Sequence, residues 1–294
     1  MKEDKFEYGE TTINNHFVPE IYLSYFYGNT GKLICYDKIK NSYWETNTTR
    51  IGFEKHLYTT VSKGQKKSFE KHYTKNVDNL YKDTIEKIEK YSNCILDKKV
   101  LDKEDIKSSL NNIIVNQLLR TPETIYMRFE QYKQGMENLK KAITNIEKIK
   151  GEFEEYIKVL NEYINEFVYK DYVLSHTTDD STIKRFEDIL SQKSWILFKN
   201  VSSIPFITSD NPLIRYNYRT GIHNDGIARN DVFIGFPVTK KYYLAIVPNH
   251  YILGGAKIVS GTCYTIGNES IETIRLWNSF QKESCRRAIY FPFD

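Results

Sequence analysis

The spacing of hydrophobic residues divides the chain into three parts. Short apolar or aromatic runs, separated by Gly, Asn and Pro, occupy residues 1–67 and 192–294 and are typical of β-strands. Over residues 68–191 the apolar residues recur mostly at threes and fours, which indicates amphipathic helices. This pattern predicts an α+β fold in which the β-rich ends form one mixed or antiparallel sheet unit around a middle region of long helices. Because the chain has no internal repeat and no low-complexity linker, we expect a single intertwined domain over residues 1–294.

Several elements can be placed from local signals. One buried helical stripe is predicted through Ile106, Leu110, Ile113, Ile114 and Leu118. It ends near Pro122, because the residue before a proline is pushed out of the helical region. A second stripe spans residues 136–167 and either packs against the core or forms a dimer interface. Strands are predicted at residues 32–37, 195–198, 205–208, 232–236 and 242–247, and a last helix at 269–287.

Composition gives more information about the cellular location of the protein than about its activity. The 42 Lys and Arg residues exceed the 38 Asp and Glu residues by a net charge of +4, which is compatible with nucleic-acid binding without implying it. The N-terminus has no apolar segment typical of a secretory signal, and no run is long enough to span a membrane. The four cysteines are scattered. We therefore expect a cytoplasmic protein without a membrane partner.

Familiar catalytic motifs are missing from the chain. It contains no Gly-x-x-x-x-Gly-Lys-Ser/Thr, Gly-x-Ser-x-Gly, His-Glu-x-x-His or Gly-x-Gly-x-x-Gly sequence. These absences argue against a P-loop NTPase, an α/β-hydrolase, a zincin and a Rossmann dehydrogenase. Candidate sites must therefore be sought among isolated polar residues at the ends of predicted elements.

The first candidate site is the segment His16-Phe17-Val18-Pro19, at the edge of an aromatic run. A rigid proline turn holds the backbone while the imidazole of His16 projects from it. Because an imidazole titrates near neutral pH, His16 could act as an acid, a base or a ligand. The alternative is a histidine that is hydrogen-bonded within the fold.

The second candidate site follows the apolar run at Phe206, where Ser209, Asp210 and Asn211 precede Pro212. Strand ends often carry catalytic carboxylates, because the strand fixes the backbone while the side chain faces a crevice. Asp210 would then be catalytic, with Ser209 and Asn211 positioning the substrate. The alternative is a turn in which Asp210 and Asn211 satisfy local backbone N–H groups.

Two charged residues mark the ends of predicted helices. Arg120 ends an apolar helix, where a cation interacts favourably with the helix dipole. It could instead clamp a phosphate or carboxylate through a bidentate contact. Glu70 begins a helix, where the helix dipole stabilises a carboxylate. The alternative interpretation of Glu70 is a catalytic role.

These segments together resemble a bacterial family catalogued as domain of unknown function 4238. The matching motifs occur in order over nearly the whole chain: His16-Phe17-Val18-Pro19, Leu33-Ile34-Cys35-Tyr36-Asp37, Glu70, Gln117-x-x-Arg120-x-Pro122, Trp195, Phe206 through Pro212, Phe236-Pro237, and Asn278 with Ala288 in the last helix. The resemblance implies that Gln117 and Asn278 belong to the substrate-binding residues. It also implies an effector in anti-phage defence, since members of the family recur as stand-alone genes in bacterial anti-phage islands.

The chain departs from the family pattern at two positions. Glu20 stands where the family usually has Gln. Val77, followed by Asp78, stands where the family tends to carry a second acidic residue about seven positions after the first. A mechanism with paired carboxylates at Glu70 therefore does not follow from the resemblance.

Our leading hypothesis is a defence effector that hydrolyses nucleic acid, with Mg²⁺ as a candidate cofactor. His16 would be the acid, base or ligand, Asp210 the carboxylate and Arg120 the phosphate clamp, which requires all three to converge in one pocket. The second hypothesis is a non-catalytic sensing protein whose long helices form a homodimer or bind a phage protein. The third is an enzyme that consumes a nucleotide cofactor such as NAD, which only the defence setting supports.

Overall fold

The computed structural model describes residues 7–8, 13–62, 65–93, 98–150, 158, 166–249, 252–253, 256–257 and 259–293. The helices in this part of the chain are α1 (Glu20–Ser24), α2 (Glu70–Tyr73), α3 (Asn79–Ser92), α4 (Ile106–Arg120), α5 (Pro122–Lys150), α6 (Glu166–Thr177), α7 (Asp180–Ser191) and α8 (Ile271–Ser284). Its strands are β1 (Glu7–Tyr8), β2 (Asn14–His16), β3 (Leu33–Asp37), β4 (Ser42–Thr46), β5 (Phe53–Lys55), β6 (Thr59–Ser62), β7 (Gln65–Ser68), β8 (Ser194–Asn200), β9 (Thr208–Ser209), β10 (Ile214–Asn217), β11 (Val232–Pro237), β12 (Tyr242–Val247), β13 (Ile252–Leu253), β14 (Ala256–Lys257), β15 (Cys263–Ile266) and β16 (Ala288–Pro292). The predicted α+β class is confirmed.

The strands form several sheets rather than one unit. The five-stranded sheet has the order β10-β11-β12-β8-β15, and only its β8–β15 pair is parallel. Strands β11 and β12 are buried along their whole length, which explains their continuous apolar runs. The described strands also form a four-stranded sheet (β4-β3-β16-β9), a three-stranded sheet (β1-β7-β6) and two pairs, β2-β5 and β13-β14.

The four-stranded sheet joins the two ends of the chain. Strand β16 pairs antiparallel with both β3 and β9, and β3 pairs with β4. Because side chains alternate along a strand, Cys35 and its partner Trp44 lie on one face, whereas Tyr36 and its partner Tyr43 lie on the other. Each face borders a separate cavity. The first of these cavities adjoins the candidate site.

The C-terminal segment differs from the sequence prediction. Helix α8 ends at Ser284, before the predicted end at residue 287, and Ala288 lies in β16 instead of the last helix. The reason is tertiary, since the carboxylate of Asp210 accepts the backbone N–H groups of residues 286–288. These N–H groups are therefore not available for helical hydrogen bonds. Within the predicted strand at residues 205–208, only Thr208 is part of a strand, β9.

The helical middle places α4 in the centre of the core. The predicted stripe from Ile106 to Leu118 is confirmed, and every residue from Ile113 to Arg120 is buried. Thr121 then has an extended backbone, and Pro122 begins α5. The second predicted stripe, at residues 136–167, lies partly outside the described residues. Among its described members, Leu139 is 47% exposed.

Candidate functional site

His16 is held by strand pairing and by a tight backbone contact. It ends β2 opposite Phe53 of β5, and the two rings meet edge to face with centroids 5.5 Å apart. The next two residues, Phe17 and Val18, donate their backbone N–H groups to the carbonyl of Gly52 at 2.9 and 3.0 Å. Gly52 has a φ of +69°, which glycine adopts without the steric cost of a side chain. The backbone around His16 is therefore rigidly placed.

The imidazole of His16 is mostly enclosed, and one nitrogen has no hydrogen bond. The ring donates a hydrogen bond to the backbone carbonyl of Thr48. Its Nε2 atom has no hydrogen-bond partner among the described residues. Oε1 of Glu20 lies 3.4 Å from Nε2. Burial lowers the pKa of His16; the charge of Arg120 lowers it further, and the carboxylates of Glu20 and Asp78 oppose this shift. A neutral ring that donates from Nδ1 keeps the lone pair of Nε2 free to accept a proton.

Arg120 binds the same segment from the protein interior. Its side chain is fully buried; Nη1 contacts Oδ1 of Asp78 at 2.9 Å, and Nη2 donates to the backbone carbonyl of His16. The guanidinium also lies over the ring of Tyr73, 4.7 Å from its centroid, and Nε points to the hydroxyl of Tyr58. Arg120 thus clamps the protein's own backbone, and no part of it is exposed to a phosphate from solution.

Gln117 has a similar function one turn earlier on α4. Its Nε2 donates to the backbone carbonyl of Phe17 at 2.8 Å. Gln117 and Arg120 therefore bind two consecutive carbonyls of the N-terminal segment, those of Phe17 and His16. This arrangement explains the spacing of the Gln-x-x-Arg motif, because residues three apart lie on one face of a helix.

Glu70 is the third group at this segment. Its carboxylate accepts hydrogen bonds from the side chain of Asn15 and from the backbone N–H of His16, while Oε2 is buried without a hydrogen-bond partner among the described residues. Burial raises the pKa of Glu70 to about 7; Arg120 opposes this increase and Asp78 adds to it. A carboxyl group with a pKa near neutrality is suited to proton transfer at physiological pH.

A π-helical turn at Thr74–Asp78 brings a second carboxylate into the cluster. In a regular α-helix, positions seven apart differ by about 20° around the axis, and positions eight apart by about 80°. The π turn absorbs one extra residue, so Asp78 takes the place expected seven positions after Glu70. The carboxylate pair that did not follow from the sequence is therefore present, and Arg120 interacts with both members. The acidic residue displaced by one position was the signal that could have revealed it.

Asp210 belongs to a different network. Its carboxylate accepts the backbone N–H groups of Arg286, Arg287 and Ala288 at 2.9, 2.7 and 2.9 Å. Burial raises the pKa of Asp210, and these three hydrogen bonds oppose the increase. The carboxylate thus fixes the start of β16 and the positions from which two arginine side chains emerge.

The neighbouring polar residues connect the same segment to α8. Gln281 donates through Nε2 to Oγ of Ser209 and to the carbonyl of Asn211. Nδ2 of Asn211 donates to the carbonyl of Ser284 at 3.0 Å, and the carboxamide of Asn278 binds two backbone groups of the segment that precedes β9. These contacts join groups far apart along the chain, so they differ from the local turn considered as the alternative for this segment, and they tie it to α8 and β16.

The residues selected from the sequence therefore fall into two groups. His16, Glu70, Gln117 and Arg120 meet around β2, whereas Asp210 and its neighbours lie beside β16. Within the part of the chain that the structure describes, no hydrogen bond or ion pair joins Asp210 to His16 or Arg120. The three residues of the leading hypothesis are therefore not joined in one hydrogen-bond network among the described residues.

A cleft of about 500 Å³ lies beside Asp210 and borders the segment that follows His16. Phe17 and Phe53, which adjoin His16, line one part of it, and Arg286 and Arg287 line another together with Asp210. The side chains of Arg286 and Arg287 are about half exposed. Sequence reasoning missed both arginines, because their position depends on how β16 pairs with β3 and β9.

Acidic groups accompany each arginine of the cleft. Arg287 contacts Asp37 at 2.7 Å and holds the pKa of that carboxyl well below its usual range. Nη1 of Arg286 lies 3.3 Å from Oε2 of Glu54, and the other oxygen of that carboxylate, Oε1, accepts a hydrogen bond from the hydroxyl of Tyr126. The cleft is thus polar and contains exposed cations whose existing ion pairs are partly open to solvent.

Comparison with known families places the chain in one of them. Residues 14–292 match the family model described as "Protein of unknown function (DUF4238)". The chain belongs to this family. No curated protein and no solved structure matched the chain. The family description names no activity, so function has to be argued from the site.

The described residues include neither a metal-binding cluster nor a membrane-spanning helix. No group of three or more His, Cys, Asp or Glu side chains there is arranged to hold a metal ion. No helix in the described ranges combines the length and apolar character needed to cross a membrane.

Proposed function

We propose that the protein is a hydrolase that acts on nucleic acid, in the anti-phage setting suggested by the family resemblance. Two acid–base atoms carry this proposal. Nε2 of His16 and Oε2 of Glu70 belong to groups at the same short segment and lack hydrogen-bond partners among the described residues. An unsatisfied buried polar atom costs about 1–3 kcal/mol unless water or a ligand satisfies it, which makes these two acid–base atoms candidates for proton transfer.

The two groups have complementary proton chemistry. His16 is the general base in this proposal, since its lowered pKa favours a neutral ring at pH 7 and its hydrogen bond to Thr48 leaves Nε2 as the acceptor. Because Nε2 is enclosed in this structure, a substrate must displace its neighbours to reach it. Glu70, with a pKa of about 7, is the second proton-transfer group. The ion pair of Arg120 and Asp78 is a positioning device, because it holds the backbone from which His16 projects.

Phosphate binding is assigned to arginines that are open to solvent. Arg120 is fully buried and occupied by Asp78 and the carbonyl of His16, so it does not fill the phosphate-clamp role considered from the sequence. Arg286 and Arg287 line the cleft next to the His16 segment and keep about half of their side chains exposed. A guanidinium fork matches two phosphate oxygens. Asp210 positions both arginines through their backbone N–H groups.

The test is hydrolysis by the purified full-length chain. Total RNA and single-stranded and duplex DNA are incubated with and without Mg²⁺, beside the His16→Ala and Glu70→Gln variants. We expect cleavage by the wild type and a loss of at least about 100-fold in His16→Ala, the usual size of a general-base effect.

His223→Ala is the matched control for this experiment. The side chain of His223 has an exposure of 22%, similar to the 16% of His16, and it is also paired with a carboxylate, that of Glu283. Cleavage by this control should equal that of the wild type. Intact nucleic acid under every condition, or an equal loss in His223→Ala, would refute the proposal.

Recognition of another protein through α5 is a second candidate function. None of the side chains at residues 126–145 is buried, and Met127 and Leu139 are 50% and 47% exposed. In this alternative the protein is a non-catalytic sensor, and α5 provides a homodimer or phage-protein interface. Light scattering that shows a strict monomer would exclude the homodimer. The described residues add no observation that favours the consumption of NAD.

A further inference from the structure

Trp44 is exposed at the edge of the four-stranded sheet. The chain has three tryptophans, and Trp44 is 43% exposed, whereas Trp195 and Trp277 are 0% and 3% exposed. Trp44 belongs to the edge strand β4 and lines the polar cleft. Its ring therefore offers an aromatic surface to a ligand in a cleft that both apolar and charged side chains line.

The other parts of the cleft carry two arginines and a second aromatic ring beside three carboxylates. Arg286 and Arg287 approach from the start of β16, and Phe53 adds a second aromatic ring from β5. The volume of about 500 Å³ lies within the range of about 300–1,000 Å³ that is common for small-ligand pockets. Aromatic rings combined with arginines are characteristic of proteins that bind single-stranded nucleic acid, where bases stack and cations contact the backbone.

The acidic residues of the cleft do not prevent phosphate binding. Asp37 is paired with Arg287 through Nε and Nη2, so Nη1 of Arg287 lies outside this ion pair, and Asp210 is enclosed and bound by three backbone N–H groups. Glu54 is paired with Arg286 at the surface, where the Arg286 side chain is 55% exposed. Because an exposed ion pair contributes only about 0–1 kcal/mol, a phosphate can replace Glu54 as the partner of Arg286 at little cost.

We propose that this cleft binds one unpaired nucleotide of the substrate, with its base stacked on Trp44 and its phosphate bound by Arg286 and Arg287. This inference rests on the proposed function and adds the substrate class, which is single-stranded nucleic acid. A base inside a duplex is covered on both faces by its neighbours, so it cannot lie on Trp44 unless it leaves the stack.

Binding can be measured through the intrinsic fluorescence of Trp44 and the anisotropy of a labelled oligonucleotide. The probes are a ten-nucleotide oligothymidylate and the same strand annealed to its complement. We expect the single strand to quench wild-type fluorescence, because Trp195 and Trp277 are buried and only Trp44 is accessible. The duplex should bind at least about tenfold more weakly, since its bases are not available for stacking.

Variants separate stacking from a general effect on the sheet. Trp44→Ala should raise Kd by about 5- to 150-fold, which corresponds to the loss of one base–aromatic stack. Trp44→Phe retains an aromatic ring and should restore most of the affinity. The matched control is Tyr43→Ala, which removes the neighbouring, 75% exposed ring on the opposite face of β4 and should leave Kd unchanged.

Salt dependence tests the contact with phosphate. Replacing Arg286 with Gln should reduce the slope of log K against log salt by about 0.7, the value for one phosphate contact to a single strand. A variant that only disturbed local packing would lower the affinity without changing this slope. An unchanged slope would overturn the assignment of phosphate to Arg286.

The outcomes distinguish this inference from the proposed function. Equal binding of single strand and duplex, unchanged affinity in Trp44→Ala, or an equal loss in Tyr43→Ala would overturn the inference, even if His16-dependent cleavage is observed. Selective binding that depends on Trp44, without any cleavage by the wild type, would support the single-strand site and refute the hydrolase.

Discussion

Replacing Glu70 with glutamine tests the buried carboxyl group on which the acid–base proposal depends. Glutamine has a similar shape and can still accept hydrogen bonds from Asn15 and the backbone of His16, but it cannot ionise. In the native protein burial raises the pKa of Glu70 from its ordinary value of 4.5 to about 7. The unfolded chain has the ordinary value, so the folded state binds this proton more tightly.

The sign and size of the effect follow from this difference. The contribution of Glu70 to stability is most favourable below pH 4.5 and is lost as the pH rises through 7. Between these pH values the unfolded chain releases the proton of Glu70 more readily than the folded state does, so rising pH favours unfolding. Each pH unit between the two pKa values is worth about 1.4 kcal/mol. Integrated from pH 5 to pH 8.5, the loss is about 2.5 kcal/mol.

Urea denaturation of the wild type and Glu70→Gln at pH 5 and pH 8.5 measures this effect. The difference in their free energies of unfolding should change by about 2.5 kcal/mol in favour of the variant at the higher pH. All other titrating groups are shared and cancel in the comparison. Glu130→Gln, at an exposed position on α5, is the control and should differ from the wild type by the same amount at both pH values. A pH-independent difference for Glu70→Gln would refute the reasoning.

Three further substitutions test the hydrogen-bond networks. Asp210→Asn leaves a single side-chain oxygen for three backbone N–H groups, so urea denaturation should show a loss of about 2–4 kcal/mol in the free energy of unfolding; unchanged stability would contradict the structure. Arg120→Lys retains the charge but loses the planar fork that binds Asp78, so the free energy of unfolding should fall by about 3–5 kcal/mol. A Tm equal to that of the wild type would show that the contacts of Arg120 with Asp78 and the His16 carbonyl are unimportant. Gln117→Ala leaves the buried carbonyl of Phe17 without its donor, and a loss of about 1–3 kcal/mol is expected by the same measurement; a neutral result would mean that this carbonyl finds another partner.

The local elements of this protein could be predicted because they depend on residues close together in sequence. The apolar stripe through Ile106 and Leu118 determined a buried helix, and Pro122 determined where the next helix begins. The β-branched and aromatic runs at β11 and β12 indicated strands for the same reason. The set expected to converge was His16, Arg120 and Asp210; Arg120 does bind the His16 segment, but Glu70, which was considered separately, joins them there, whereas Asp210 binds the backbone of residues 286–288.

Only the tertiary structure decided what these side chains bind. The guanidinium of Arg120 meets Asp78 and the carbonyl of His16, and Asp210 meets the backbone of residues 286–288. These partners lie between 42 and 104 positions apart, so no periodicity in the sequence records them. Likewise, a one-residue displacement of Asp78 is compensated by a π turn, which becomes visible only once the helix is built. Residue type and spacing determined the local structure, whereas the path of the chain through the core decided which polar groups meet.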